Sequence, residues 1–134
     1  MKEDCTQEIR RIAERYFDAW SSREPSNVAS FYEQNGWLSV NDDRPAIGRE
    51  AITEVAQGFM TAFPDMKVVL DDVVLKGDEV VCHWTWTGTN TGPGGTGKAV
   101  RISGFEAWQI GPNGLIASSK GRFDAAEYRR QLET

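Results

Sequence analysis

Three long β-type segments joined by glycine turns, each broken by one interior glycine, constrain the fold of this chain most strongly. They are EVVCHWTWTGTNT, KAVRISGFEAWQI and LIASSKGRFD, and their interior glycines are Gly88, Gly104 and Gly121. A lone glycine within a strand pattern is typical of a bulge or a sharp bend, because glycine relaxes the pleat easily. Three neighbouring strands bent in this way predict a curled sheet with a concave face that can hold a small molecule.

Two amphipathic helices are predicted in the first half of the chain. Apolar residues recur at three- and four-residue steps over residues 8–21 and 49–63, which is the period of a helix with one buried face. A short helix is predicted at 26–32, capped by Ser26. The turn signal Asn35-Gly36 then precedes a short apolar strand ending at Val40.

The second half of the chain changes to the period of two that is typical of strands. Residues 67–76 are predicted as a strand, and Gly77-Asp78 is a link of the type that closes a hairpin. Asp124 is suited to cap a last helix over residues 125–132. Helices grouped before a strand meander predict a single α+β domain over residues 1–134, with an antiparallel sheet folded over the helices.

Composition and charge disfavour nucleic acid and membranes as partners. The net charge is −5, whereas phosphate contacts need a basic surface. No apolar run approaches the roughly 18 residues that a membrane span requires, and the charged amino terminus lacks the apolar region of a signal peptide. Cys5 and Cys82 are expected as reduced thiols. We therefore expect a cytoplasmic location.

Neither a nucleotide nor a metal ion is expected to bind. The link GPGGTG at residues 92–97 precedes a strand and lacks a following Gly-Lys-Ser/Thr, so it predicts a hairpin tip rather than a phosphate-binding loop. His83 is the single histidine of the chain, and no His-x-His or His–Glu spacing accompanies it. We predict no metal and no cofactor.

The ordered set of elements and short motifs resembles the SnoaL-like polyketide cyclases of the nuclear-transport-factor-2-like superfamily. The motifs are Tyr16-Phe17-Asp18-Ala19-Trp20, Gly48-Arg49-Glu50-Ala51-Ile52, Phe63-Pro64-Asp65, HWTWTGTNTG from His83, Gly114-Leu115-Ile116 and Asp124. The resemblance implies a cone-shaped α+β barrel, in which a curved antiparallel sheet wraps around three helices and the open end holds an apolar pocket. It also implies a homodimer formed through the outer face of the sheet.

The same resemblance implies cofactor-independent acid–base chemistry on an apolar, carbonyl-bearing molecule of polyketide or steroid type. Asp124 stands where these cyclases place an acid–base aspartate. Two positions depart from the family pattern, because Lys120 replaces a usual aromatic residue and Asn90 replaces a frequent histidine. An isomerase, cyclase or lyase is therefore one interpretation, and a non-catalytic ligand-binding or dimer-forming module on the same fold is the alternative.

Charged residues on the last two long strands are candidate chemical groups whose direction the sequence leaves open. Alternation groups Glu106 and Trp108 with Ile102 on one strand. On the next strand it groups Ile116, Ser118, Lys120, Arg122 and Asp124. A bent glycine can shift this register by one residue, so either set can face the pocket, and Lys120 and Arg122 can instead face solvent or a dimer partner.

We predict Asp124 and His83 as catalytic groups, with helix capping and packing as their respective alternative roles. The unperturbed pKa of histidine lies near neutrality, which suits a general base. A phenol at Tyr16 can donate to a substrate oxyanion. Substrate binding is predicted for the aromatic and polar residues Tyr16, Trp20, Trp37, Phe59, Phe63, Trp86, Asn90, Glu106, Trp108, Lys120 and Arg122.

Overall fold

The computed structural model describes the backbone of residues 2–133 and the side chains of residues 7–133, so Cys5 lies outside the described side chains. Four helices and six strands are present in this part of the chain. In chain order they are α1 (Lys2–Trp20), α2 (Pro25–Ala29), β1 (Tyr32–Val40), β2 (Ala46–Ile47), α3 (Arg49–Ala62), β3 (Lys67–Lys76), β4 (Glu79–Thr89), β5 (Ala99–Ile110), β6 (Ile116–Phe123) and α4 (Ala125–Glu133).

The six strands form one mixed sheet in the order β2-β1-β6-β5-β4-β3. β3 to β6 pair antiparallel in chain order, which confirms the predicted meander. β1 lies on the other side of β6 and pairs with it in parallel. The predicted α+β fold with a curved sheet and helices on one face is thus confirmed, and the one difference is that this parallel pair makes the sheet mixed rather than wholly antiparallel. Within residues 2–133 no pairing joins β2 to β3, so the curved sheet is open.

The inner face of the sheet follows from strict alternation along β4 and β5. Their buried residues at even-numbered positions include Cys82, Trp84 and Trp86 on β4 and Glu106 and Trp108 on β5. Helices α1 and α3 cover this face with the apolar stripes that the sequence predicts. The buried residues of these stripes are Ala13, Tyr16, Phe17, Trp20, Ile52, Ala56 and Met60.

Two local predictions near the first strand are wrong. The short helix begins at Pro25 rather than Ser26, and its N-cap residue Glu24 makes no side-chain cap bond. Proline suits this first helical position because its fixed φ matches the helix and its missing N–H is not needed there. The Asn35-Gly36 pair does not form a turn between elements but lies inside β1, where the pairing with β6 shifts register.

The interior glycines provide space on the inner face and do not mark bulges. The β4–β5 register is continuous past Gly88 and Gly104, and the shift between β5 and β6 lies near Ile110 rather than at Gly121. A Cβ added at Gly104 would lie 2.8 Å from the Trp84 ring. A bulky indole therefore lies across the sheet only because its neighbour has no side chain.

No helix among the described residues is both long and apolar enough to cross a membrane.

Substitution of two glycines is expected to change the free energy of unfolding in opposite directions. Gly104→Ala should destabilise the protein by about 1–3 kcal/mol, because its methyl group overlaps the Trp84 ring. Gly58→Ala should stabilise it by about 0.5–1 kcal/mol, because Gly58 is an exposed position of α3 with no atom within 4 Å of an added Cβ. Urea denaturation followed by tryptophan fluorescence measures both changes. Equal stabilities for the two variants would contradict this account of Gly104.

Candidate functional site

A narrow apolar cavity of about 60 Å³ lies between the concave face of the sheet and helices α1 and α3. Among the described residues that line it, Glu106 is the one ionisable side chain. The lining residues are Phe17, Trp20, Leu38, Val40, Phe59, Met66, Val68, Trp84, Trp86, Glu106, Gly121 and Phe123. Apolar walls with a small number of convergent polar groups are typical of sites for small organic molecules.

Strand register brings the Glu106 carboxyl to the cavity. Alternation directs this side chain inward from β5, where it stands opposite Cys82 on β4 and Gly121 on β6. A Cβ added at Gly121 would lie 3.6 Å from Glu106 Cγ, so the missing side chain leaves the space beside the acid open. Glu106 is buried, with 6% of its surface exposed.

Three donors fix one oxygen of the Glu106 carboxyl. Oε1 accepts hydrogen bonds from the Tyr16 hydroxyl at 2.9 Å, the Trp108 indole Nε1 at 3.0 Å and the Ser119 hydroxyl at 2.7 Å. No hydrogen bond from the described residues reaches Oε2. The carboxyl is thus held in one orientation by one oxygen, and its other oxygen is available to a molecule in the cavity.

A second phenol, that of Tyr32, contacts the Tyr16 hydroxyl that donates to Glu106. The Tyr16 and Tyr32 hydroxyls are 2.8 Å apart, and both side chains are fully buried. Burial raises the pKa of both phenols well above 10.0, and the nearby Glu106 charge raises each pKa further. Both phenols therefore keep their protons. Since Tyr16 donates its proton to Glu106, the Tyr32 hydroxyl is the donor in the bond between the two tyrosines.

Burial raises the pKa of Glu106 above its ordinary value. Removal from water disfavours the charged carboxylate. The hydrogen bonds from Ser119, Trp108 and Tyr16 act in the opposite direction, because they stabilise the negative charge, but desolvation is the larger effect. The acid is therefore more basic than a surface glutamate, and this shift moves it towards the range in which a carboxyl exchanges protons near neutral pH.

Four of the predicted binding residues line the cavity, namely Trp20, Phe59, Trp86 and Glu106. Tyr16 and Trp108 lie directly behind it and hold the acid. Phe63 is fully buried and packs edge-on against Trp86, with ring centroids 4.8 Å apart. Trp37 is half-buried on β1, paired with Ile47 of β2 and outside the cavity lining.

The predicted catalytic residues Asp124 and His83 both lie outside the cavity lining. Asp124 is exposed, and its Oδ1 accepts the backbone N–H groups of Ala126 and Glu127 at 3.0 and 3.1 Å. These bonds cap α4. His83 is exposed at an odd-numbered position of β4, with its ring 6.1 Å from that of Phe105. The surroundings of Asp124 match its alternative role as a helix cap, whereas His83 is an exposed residue on the outer face of the sheet.

Lys120 and Arg122 are exposed and do not line the cavity. The β5–β6 register shifts between Gln109 and Ile110, so the alternation predicted from Ile116 to Arg122 does not continue along β6. Beyond the shift, Ser119 and Gly121 face inward and the two basic residues face outward. Arg122 forms an ion pair with Asp42.

The Asn90 side chain does not line the cavity and instead bonds to backbone groups. Its amide nitrogen donates to the Ala62 carbonyl at 3.2 Å, and its side-chain oxygen accepts the Thr96 N–H at 2.8 Å. The side chain thereby joins the glycine-rich link 92–97 to the end of α3. This link is a turn between β4 and β5, as the sequence predicts.

Several site residues were not predicted. Some of the apolar lining residues lie on β1 or at the start of β3, where alternation could have indicated them. Alternation could not indicate Ser119, because its neighbour Ser118 is also a serine and the sequence does not show which of the two faces inward. These missed residues are Phe17, Leu38, Val40, Met66, Val68, Trp84, Gly121 and Phe123 in the lining, and Tyr32 and Ser119 in the hydrogen-bond network.

The fold agrees with comparisons to known proteins. The profile of the SnoaL-like polyketide cyclase family matches residues 10–132, and the chain belongs to this family. No curated protein matches the sequence.

Solved structures share the fold at low sequence identity. A hypothetical protein with a ketosteroid isomerase-like fold from Catenulispora acidiphila, solved with trimethylamine, is 15% identical, with a TM-score of 0.80 over 91% of this chain and 92% of the other. A phenazine biosynthesis-related protein from Pseudomonas aeruginosa is 13% identical, with a TM-score of 0.76 over 97% and 90%. The epoxide hydrolase/cyclase-like enzyme SalBIII, with a role in pyran ring formation in salinomycin, is 17% identical, with a TM-score of 0.77 over 90% and 94%.

Replacing the buried acid by its neutral isostere should change how stability depends on pH. The pKa of Glu106 is higher in the folded protein than in the unfolded chain. Its contribution to the free energy of unfolding is therefore complete below the pKa of the unfolded chain, and it is lost as pH rises through the pKa of the folded protein. Glu106→Gln should therefore unfold at a higher urea concentration than the wild type at pH 8, and this advantage should disappear near pH 4.

Glu106→Ala is the control for this experiment. It leaves the three donors without an acceptor and should lose roughly 2 kcal/mol or more at both pH values. A wild type that is more stable than Glu106→Gln at pH 8 would contradict the desolvation of Glu106.

Proposed function

We propose that this protein binds a small apolar, carbonyl-bearing molecule in the Glu106 cavity and transfers a proton to or from it, as a cofactor-independent isomerase, cyclase or lyase. The observation that supports this most is the asymmetry of the Glu106 carboxyl. Three donors hold Oε1, while Oε2 has no partner among the described residues and the side chain lines the cavity. This is the geometry required of a positioned general base.

In the proposed reaction Oε2 takes a proton from the carbon next to the substrate carbonyl. The electron pair of the broken C–H bond moves into the carbonyl group, which becomes an enolate, and the protonated carboxyl then returns the proton to the same or another atom. A base with a raised pKa abstracts such a proton more readily than an ordinary carboxylate. The bonds from Tyr16, Trp108 and Ser119 keep the carboxyl from rotating during the two transfers.

The walls of the cavity contribute in two ways. Aromatic and aliphatic side chains exclude water, which strengthens the electrostatic interactions within the site. The indole N–H groups of Trp20, Trp84 and Trp86 are buried without a hydrogen-bond partner among the described residues, and all three residues line the cavity. Since buried donors normally have partners, we propose that the substrate oxygen accepts a hydrogen bond from this group of donors.

Membership of the SnoaL-like polyketide cyclase family supports a reaction of this class. A fold alone does not determine chemistry, however. The lining has one ionisable residue rather than an acid–base pair, and this observation favours a second candidate function, namely a ligand-binding module without turnover. The homodimer implied by the family resemblance stays a prediction.

Hydrogen exchange on simple ketones tests the proposal without knowledge of the natural substrate. The purified protein is incubated in deuterated water with acetophenone, 1-indanone and 2-tetralone, and the loss of the hydrogens next to the carbonyl is followed by NMR. The wild type should accelerate exchange, and Glu106→Gln should lower the accelerated rate by about 100-fold or more, as expected for a lost general base.

Asp124→Asn distinguishes Glu106 from the acid that the family resemblance indicates. This variant removes the negative charge of Asp124, which caps α4 outside the cavity. It should therefore catalyse hydrogen exchange on the ketones at the wild-type rate. Wild-type exchange in Glu106→Gln, or its loss in Asp124→Asn alone, would contradict the role of Glu106. Ligand binding without any exchange would favour the binding module.

A further inference from the structure

A wider and more polar cleft of about 620 Å³ adjoins the Glu106 cavity. The two spaces share the lining residues Leu38, Val40, Phe59 and Phe123, so they lie side by side. The rest of the cleft wall comes from the loop after β1, from Val55 of α3 and from α4. A molecule that enters the cavity from this side leaves part of its structure in the cleft.

The acidic side chains of the cleft form polar contacts, whereas its two arginine side chains form none within residues 7–133. Asp42 forms an ion pair with Arg122, and the Asp43 carboxyl accepts the backbone N–H of Arg44 at 2.9 Å. No ion pair or side-chain hydrogen bond within residues 7–133 reaches the guanidinium of Arg44 or of Arg129, although both residues line the cleft. Two cationic groups are thus available there, with the Asp43 carboxylate beside them.

The loop that carries Arg44 is fixed to the strand that lines the cavity. Asn41 and Asp42 have φ values of 53° and 62°, a left-handed turn conformation that Asn and Asp adopt more readily than other non-glycine residues. Asn41 is held by its N–H to the Gly121 carbonyl at 2.8 Å and by its Oδ1, which accepts the Phe123 N–H at 2.9 Å. These bonds fix the position of the loop relative to β6.

We propose that Arg44 and Arg129 bind an anionic oxygen group of the molecule whose apolar part occupies the Glu106 cavity. A guanidinium matches carboxylate and phosphate oxygens with two parallel hydrogen bonds. The net charge of the chain is −5, so its overall field does not attract anions and the attraction must come from these local groups. The ligand class is an aromatic or aliphatic anion whose charged end lies at the mouth. This inference uses the cavity of the proposed function but not its proton transfer.

Matched pairs of ligands measure the contribution of the charge. Benzoate and benzamide, and 2-naphthoate and 2-naphthamide, are titrated into the wild type by calorimetry at low ionic strength. At least one carboxylate should bind about tenfold more tightly than its amide, and added salt should reduce this preference because it screens exposed charges. 2-Naphthyl phosphate in place of the naphthoate then decides which anion fits better.

Variants assign the preference to particular residues. Arg44→Ala and Arg129→Ala should each weaken carboxylate binding roughly fivefold without changing amide binding. Asp43→Asn should strengthen carboxylate binding, because it removes a like charge from the cleft. Arg130→Ala is the matched control, since Arg130 is on the same helix, carries the same charge and pairs with Glu127 outside the cleft. It should bind both ligands as the wild type does.

Three results would overturn the inference: equal affinity for every carboxylate and its amide, no binding of any carboxylate, or an equal loss in Arg129→Ala and Arg130→Ala. Failure of the proposed function is a separate result. A wild type that prefers carboxylates but exchanges no ketone hydrogens would retain the anion site and refute the proton transfer.

Discussion

Burial of the Glu106 carboxyl against three donors is the interaction on which the rest of the site depends. An ionisable group removed from water is destabilising unless hydrogen bonds compensate, and Tyr16, Trp108 and Ser119 supply them to one oxygen. Because these donors come from α1, β5 and β6, the acid connects the helical layer to the sheet. The partial compensation leaves a carboxyl with a raised pKa, which is the property that the proposed chemistry requires.

The fold creates room for this acid by omitting side chains beside it. Gly121 stands opposite Glu106 and lines the cavity, and Gly104 allows the Trp84 ring to lie across β5. The same strand β6 also anchors Asn41 of the outer loop. Strand β6 therefore contributes to both spaces. It places Gly121 beside Glu106 in the cavity, and it holds the loop that forms one wall of the cleft.

The sequence predicts the elements of this structure better than its site. Lys67–Lys76 and the meander were predicted because the period of two is a local signal, and Glu106 was grouped correctly with Trp108 on one face of its strand. The direction of Lys120 and Arg122 was not predictable, because it depends on a register shift between β5 and β6 that falls next to two adjacent serines. The family resemblance indicates Asp124 as the acid, whereas three-dimensional packing shows that Glu106, a predicted binding residue, is the buried carboxyl of the cavity.

A direct titration of the Glu106 carboxyl by ¹³C NMR tests the central claim, with the Glu106→Gln spectrum used to assign the signal. We expect a midpoint above the ordinary glutamate value of 4.5. We also expect a further rise in Ser119→Ala, because that substitution removes a donor that stabilises the carboxylate. A midpoint at or below 4.5, or one that does not respond to loss of the Ser119 hydroxyl, would contradict the account.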